Sequence, residues 1–210
     1  LDQLRLREVE TVVLSSNPAW TSEVHGCRAL KRTALGPVTG ALARADLFVQ
    51  GGGSLIQDAT SWRSPLFYLA QLLHARIAGT PWMMLSQGIG PIQRGWLHYL
   101  TRETLVQGAA LTLRDTASLA WALGNLPHDL PIRLTADPVF LLEPADPQRI
   151  EWLTETSGLA DMPRPWVFVS AKGSTKNPTE RQAWIAGLNT LAGEVGGSII
   201  LAPFFPSMDR

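Results

Sequence analysis

The chain has 210 residues, 45% of them hydrophobic, which is enough for one full domain or for parts of two, each with a sizeable core. Lys+Arg and Asp+Glu both number 18. With no net charge to attract a polyanion over a broad surface, general nucleic-acid binding is disfavoured, while a local basic pocket remains open. The lone cysteine, Cys27, excludes an internal disulfide framework and a cysteine zinc site, and His25, His74, His98 and His128 show no metal-ligand spacing. No apolar run approaches the roughly 20 residues that span a bilayer. Arg5, Arg7, Glu8 and Glu10 interrupt the opening segment, which therefore does not read as a signal core. The expectation is a cytoplasmic protein with no transmembrane segment.

In chain order, "VETVVLSS" (Val9 to Ser16) reads as a strand and "DLFVQ" (Asp46 to Gln50) as a second, closed by Gly51, Gly52 and Gly53. "SPLFYLAQLLHARIAG" reads as a helix, with Ser64 as cap, Pro65 at the first helical position and Gly79 at the exit. Leu66, Leu69, Leu73 and Ile77 form its apolar stripe. "PWMMLSQG" is a third strand, ending in Gly88 and Gly90; "GWLHYLTRETLVQG" is a helix and "AALTLR" a strand. "DTASLAWALGN" is a helix capped by Asp115, and "IRLTAD" a strand ending at Asp137-Pro138.

The texture then changes. "FLLEPADPQ" carries two prolines and acids and reads as a linker. Beyond it come a helix from Asp146-Pro147 to Gly158, the strand "WVFVSAKG", a helix with Asn177 as cap and Pro178 in its first turn, and a last strand in "GGSIILAPFF". This alternation predicts an α/β chain with parallel sheets and helices on both faces, in two Rossmann-like units, residues 1–143 and 144–210.

In such sheets ligands bind outside the carboxyl ends of the strands, so the segments that follow strands are the candidates. The Gly51–Gly53 triplet exposes backbone N–H groups and tolerates positive φ, which suits a phosphate or carboxylate; close chain packing is the plainer alternative. It is neither a P-loop, since no Lys-Ser/Thr follows, nor the GxGxxG fingerprint. Ser54, Gln57 and Asp58 follow it, and Gln57 and Asp58 either touch a ligand or brace the loop. "SQGIGPI" repeats the theme with Gln87, Gly88 and Gly90, where a strand-to-helix turn is the alternative. Arg114, at a strand end, either grips an anion bidentately or pairs with a neighbouring acid. Lys172 and Lys176 flank Gly173 after a later strand, where solvated lysines are the default. Most of the eight tryptophans sit in packing contexts, but Trp62 and Trp96 fall nearer the edge of the site. No HExxH, GxSxG or Cys-His pattern supports a protease, lipase or zinc hydrolase.

"ADLFVQGGGSLIQDATSWRSPLFYL", "GTPWMMLSQGIGPI", "LTLRDTAS" and "TADPVFLL" occur in this order. Together they resemble the polysaccharide pyruvyl transferase family, close to its bacterial cell-wall branch, well over Val9 to Leu142 and more loosely beyond. The resemblance implies two Rossmann-like domains in a glycosyltransferase-B-like arrangement. It implies phosphoenolpyruvate as donor substrate, with no cofactor and no metal. Pyruvate would be transferred as a cyclic ketal to a saccharide or lipid-linked cell-wall precursor containing N-acetylmannosamine, whose product anchors surface-layer proteins. Peripheral association with a membrane would be compatible with a lipid-linked acceptor. By resemblance, Arg114 maps onto an arginine that helps bind the donor, and the glycine loop onto the ligand-facing loop of the first domain.

Three departures accompany the likeness. The family's "GxxNxGDE"-like opening is not found, and its Arg-Leu-His element, whose histidine is the implied general acid, would lie beyond Arg210. A family Ser-x-Arg reads Ser170-Ala171-Lys172 here, which keeps the charge and loses the planar fork. The chain is therefore expected to be a fragment, inactive on its own. A nucleotide-sugar glycosyltransferase of similar architecture and a degenerate sugar-binding relative are the competing readings.

Overall fold

The computed structural model describes residues 8–170 and 177–202. The chain forms two compact units, residues 1–142 and 143–210. It is a Rossmann-like α/β fold in which every strand pairing is parallel.

The first unit opens with β1 (Val12–Ser15), α1 (Pro18–His25), β2 (Arg28–Lys31) and α2 (Leu35–Leu42); β1 and β2 form a two-stranded sheet. α1 starts where the Asn17 side chain accepts from the Trp20 N–H and Pro18 needs no N–H partner, and it ends at Gly26 in the left-handed region. A five-stranded sheet follows. Its strands are β3 (Phe48–Gln50), β4 (Gly53–Ile56), β5 (Trp82–Ile89), β6 (Ala110–Leu113) and β7 (Ile132–Leu134). Connecting them are α3 (Arg63–Ile77), α4 (Gly95–Leu105) and α5 (Thr116–Asn125). α3 begins two residues before the expected first helical position. Ser61, rather than Ser64, accepts the Arg63 N–H (3.3 Å), and Pro65 is tolerated inside the first turn, where no intrahelical donor is required.

β3 and β4 lie end to end along the same side of β5: Phe48–Gln50 pair with Trp82–Met84, and Gly53 pairs with Gln87. Gly51 and Gly52 are thus the break in an interrupted strand. The expected loop from Gly51 to Asp58 is shorter than the glycines suggest, because Gly53–Ile56 return to the sheet. Across β5 the register with β6 slips by one residue between Met84 and Gln87, with Ser86 at φ 51°. The sheet therefore carries irregularities on both flanks of the same stretch of β5, and such bulges re-aim side chains at functional edges.

The core lies between this sheet and its helices. Ile56, Leu69, Leu72, Met84, Leu97, Leu105, Leu111 and Leu113 are fully enclosed. Each such side chain contributes about 1.5–3 kcal/mol through removal of apolar surface from water. Trp82 closes the lower end of β5 beside Gly108.

The second unit holds α6 (Pro147–Thr156), β8 (Trp166–Val169), α7 (Pro178–Val195) and β9 (Ser198–Leu201), with β8 paired to β9. Asp146 and Asn177 cap its helices as the sequence predicts. A 3-10 turn at Pro138–Leu141 occupies the start of the segment expected to be linker. Among the described residues no helix is long and apolar enough to cross a membrane.

Candidate functional site

At the carboxyl edge of the five-stranded sheet, four successive chain segments converge on one guanidinium. Arg114 directly follows β6. Its Nη1 donates to Asp137 Oδ2 at 2.6 Å, and its Nη2 donates to Ser54 Oγ at 2.6 Å. Ser54 comes from β4 and Asp137 from just beyond β7. Gly88, in β5, forms the floor: a Cβ there would lie 3.0 Å from Ser54 Oγ, 3.4 Å from Arg114 Nε and 3.5 Å from Asp115 Oδ2. The guanidinium can approach the strand only because residue 88 lacks a side chain. Arg114 and Asp137 are each about a third exposed, so the pair faces solvent.

The two carboxylates beside Arg114 are held ionised. Asp115 caps α5 by accepting the Ser118 N–H at 2.7 Å; that bond, with the Arg114 charge, keeps its carboxyl below the usual range. Asp137 accepts the Val139 N–H at 3.1 Å, and this bond, with Arg114, lowers its pKa as well. Neither aspartate is a proton donor near neutral pH. One cation and two anions leave the cluster with a negative balance. Of the five guanidinium N–H groups, two are engaged. The remainder can hold one carboxylate or phosphate face.

Beneath the edge is a layer of hydroxyls. Ser86 Oγ lies 3.1 Å from Thr135 Oγ1, and the Ser86 N–H donates to Thr112 Oγ1 at 2.7 Å. These bonds hold the left-handed backbone of Ser86, a conformation unusual for a residue with a Cβ.

The family model for polysaccharide pyruvyl transferase matches residues 1–209. The chain belongs to the polysaccharide pyruvyl transferase family. No curated protein and no solved structure matches it. Membership places it among transferases and makes a polysaccharide its expected class of substrate.

The other candidate residues named from the sequence take varied places. At Gly52 the chain passes close to distant segments: a Cβ there would sit 3.4 Å from Pro138 Cδ and 3.5 Å from the Ser86 carbonyl oxygen. Gly53 needs its φ of 138°, whereas a side chain at Gly51 would meet nothing. Gln87 is fully buried and donates through Nε2 to the carbonyl oxygen of Gly51, so it ties the strand break from behind rather than lining the edge. Gly90, at φ 90°, donates its N–H to Ile56 O (2.8 Å).

Gln57 and Asp58 brace the loop. Gln57 accepts the Ala59 N–H and donates to Thr60 Oγ1. Asp58, buried, accepts from the N–H groups of Gln93 (2.8 Å) and Arg94 (3.0 Å) and from Arg94 Nη1 (3.1 Å). Those bonds lower its pKa, the Gln93 N–H most of all. Asp58 stands behind the surface, joining the loop after β4 to the start of α4.

Lys172 and Lys176 lie outside the described residues. Among the described residues no three His, Cys, Asp or Glu side chains gather into a group able to hold a metal. Pairing of Arg114 with an acid is one of the two alternatives the sequence offers; which acid is the part it does not name, since the place of Asp137 after a strand is its only signal.

Proposed function

We propose that the protein acts in transfer of pyruvate from phosphoenolpyruvate to a saccharide as a ketal, with Arg114 binding an anionic group of the donor. Family membership supports the reaction class, and one observation supports the site: Ser54, Gly88 and Asp137, from three different segments, are arranged around a single solvent-facing arginine.

Phosphoenolpyruvate presents a carboxylate and a phosphate, and a planar guanidinium matches either. In the balanced reaction a proton adds to the methylene carbon of the enol, one sugar hydroxyl attacks C2, and phosphate leaves as the second hydroxyl closes the ketal. The two hydroxyl protons end on the methyl group and on phosphate. Carbon protonation requires a general acid. Asp115 and Asp137, held ionised, cannot serve, so their part is to position Arg114 and α5. A trianionic donor also requires cations beyond Arg114, since the cluster is already negative. A cell-wall precursor containing N-acetylmannosamine is the acceptor we infer, and the cytoplasm, where phosphoenolpyruvate is made, the compartment.

Thermal unfolding of the chain with phosphoenolpyruvate, and separately with a nucleotide sugar, tests the reading. Phosphoenolpyruvate should raise Tm in the wild type and fail to do so in Arg114→Ala, while the fold survives. Protection by the nucleotide sugar alone would replace this function with glycosyl transfer.

A further inference from the structure

We propose that Trp62 and Trp96 form a stacking subsite for the saccharide acceptor; this deepens, and rests on, the pyruvyl transferase reading. The two rings meet edge to face, with centroids 6.0 Å apart and planes at 77°. Both are open to solvent, Trp62 to 39% and Trp96 to 49%. They stand on the segments that follow β4 and β5, neighbouring parallel strands, and so at the carboxyl edge where this class of sheet binds its ligands.

Their positions are fixed from below. The buried carboxylate of Asp58, four residues before Trp62, takes the N–H groups of Gln93 and Arg94, just before Trp96. One group thus ties together the two segments that carry the rings. An edge-to-face contact uses one face of one ring, and the Arg63 guanidinium lies over Trp62 at 5.5 Å. The open aromatic area therefore falls mainly on Trp96, extended one turn along α4 by exposed Tyr99.

Large apolar rings held rigidly in water are costly to leave uncovered. Their surroundings select the ligand. The segments that carry the rings are polar: Gln57, Thr60, Ser61 and Arg63 precede or flank Trp62, Arg94 lies two residues before Trp96, and the Arg63 guanidinium lies over Trp62. A pyranose has the matching chemistry. Its C–H face, slightly positive, packs on the electron-rich ring face, and its equatorial hydroxyls reach the polar rim.

The test uses the whole 210-residue chain and a named probe, the disaccharide of N-acetylmannosamine and N-acetylglucosamine, titrated by calorimetry. Trp96→Ala should weaken disaccharide binding by about tenfold or more, and Trp96→Phe, which keeps a ring, by only about two- to threefold. Trp62→Ala, which removes the supporting ring, should also weaken binding, and covers the case in which one variant fails to fold. Wild-type affinity in both alanine variants, or no disaccharide binding by the wild type, overturns the subsite. Equal binding of uridine monophosphate alone, lost in Trp96→Ala, also overturns it, since the rings would then stack a base. The rise in Tm with phosphoenolpyruvate, followed in parallel, reports the donor site separately. Its absence beside Trp96-dependent sugar binding sinks the donor reading and leaves the subsite standing.

Discussion

Asp137 holds Arg114 through a 2.6 Å charge-assisted hydrogen bond and at the same time cancels its charge. The two effects oppose each other for an incoming anion, and magnitude decides between them. Asn at 137 has a single carbonyl oxygen: with that oxygen on Nη1 the guanidinium keeps its orientation, and the bond from the Val139 N–H is given up. Removal of a negative charge a few ångströms from a half-solvated anion favours binding by about 1 kcal/mol. Asp137→Asn should therefore tighten phosphoenolpyruvate binding about fivefold, followed as a ligand-dependent rise in Tm. Weaker binding would show that the ionised form is needed to aim the guanidinium.

Gly88 sets how close Arg114 comes to the sheet. In Gly88→Ala the new methyl group would press on Ser54 Oγ at 3.0 Å and on Arg114 Nε at 3.4 Å. Ser54 can rotate away, but only by giving up its bond to Nη2. Donor binding should fall about tenfold while stability drops by only about 1–2 kcal/mol, because the crowded groups are partly exposed and can yield. A variant with unchanged donor affinity would show that Ser54 does not aim Arg114.

Local chemistry made the helix starts at Asp115, Asp146 and Asn177 legible, because a capping side chain and its N–H partners are two or three residues apart. The same Asn-Pro signature opens α1 at Asn17-Pro18, in a stretch between the first two expected strands to which the sequence reading assigns no element. What sequence could not carry was set by contacts between distant segments. The glycine triplet reads as a loop, yet Gly53–Ile56 rejoin the sheet because β5 offers a free flank there. Gln87 reads as pointing toward the ligand edge or as part of a strand-to-helix turn, and Asp58 as either touching a ligand or bracing the loop. One is buried behind Gly51, and the other binds backbone more than thirty residues later in the chain. Local sequence allows Arg114 either an anion or an acid, and the acid it meets lies 23 residues away on the far side of α5 and β7.

Asp58, Asp115 and Asp137 all titrate below their ordinary value of 3.8 in the folded protein. The unfolded chain therefore takes up protons first as pH falls. Their stabilisation is complete above the ordinary value and is lost as pH drops through the lower folded values. Tm should be nearly flat from neutral pH to about 5 and fall steeply below about 4. Asp58→Asn should lower Tm at pH 7, through weaker bonds to Gln93 and Arg94, and should flatten the acid limb. An acid limb as steep as that of the wild type would mean that Asp58 is not one of the groups responsible.

Gly108 offers a test of the core that leaves the site untouched. A Cβ there would fall 2.7 and 2.8 Å from the outer ring carbons of Trp82, which is almost fully buried at the base of β5. The buried ring has no solvent to withdraw into, and beside it the Ala109 N–H bond to the Trp82 carbonyl, 2.8 Å long, holds the main chain at the start of β6 to β5. Gly108→Ala should cost about 1–3 kcal/mol by overpacking. Trp82→Phe removes the clashing carbons and opens space, so each substitution should relieve part of the other's cost. A double-mutant cycle by denaturant unfolding should give a favourable coupling of about 1 kcal/mol or more. Strict additivity would mean that the helix end moves aside as a unit, and that this corner of the core is looser than its burial implies.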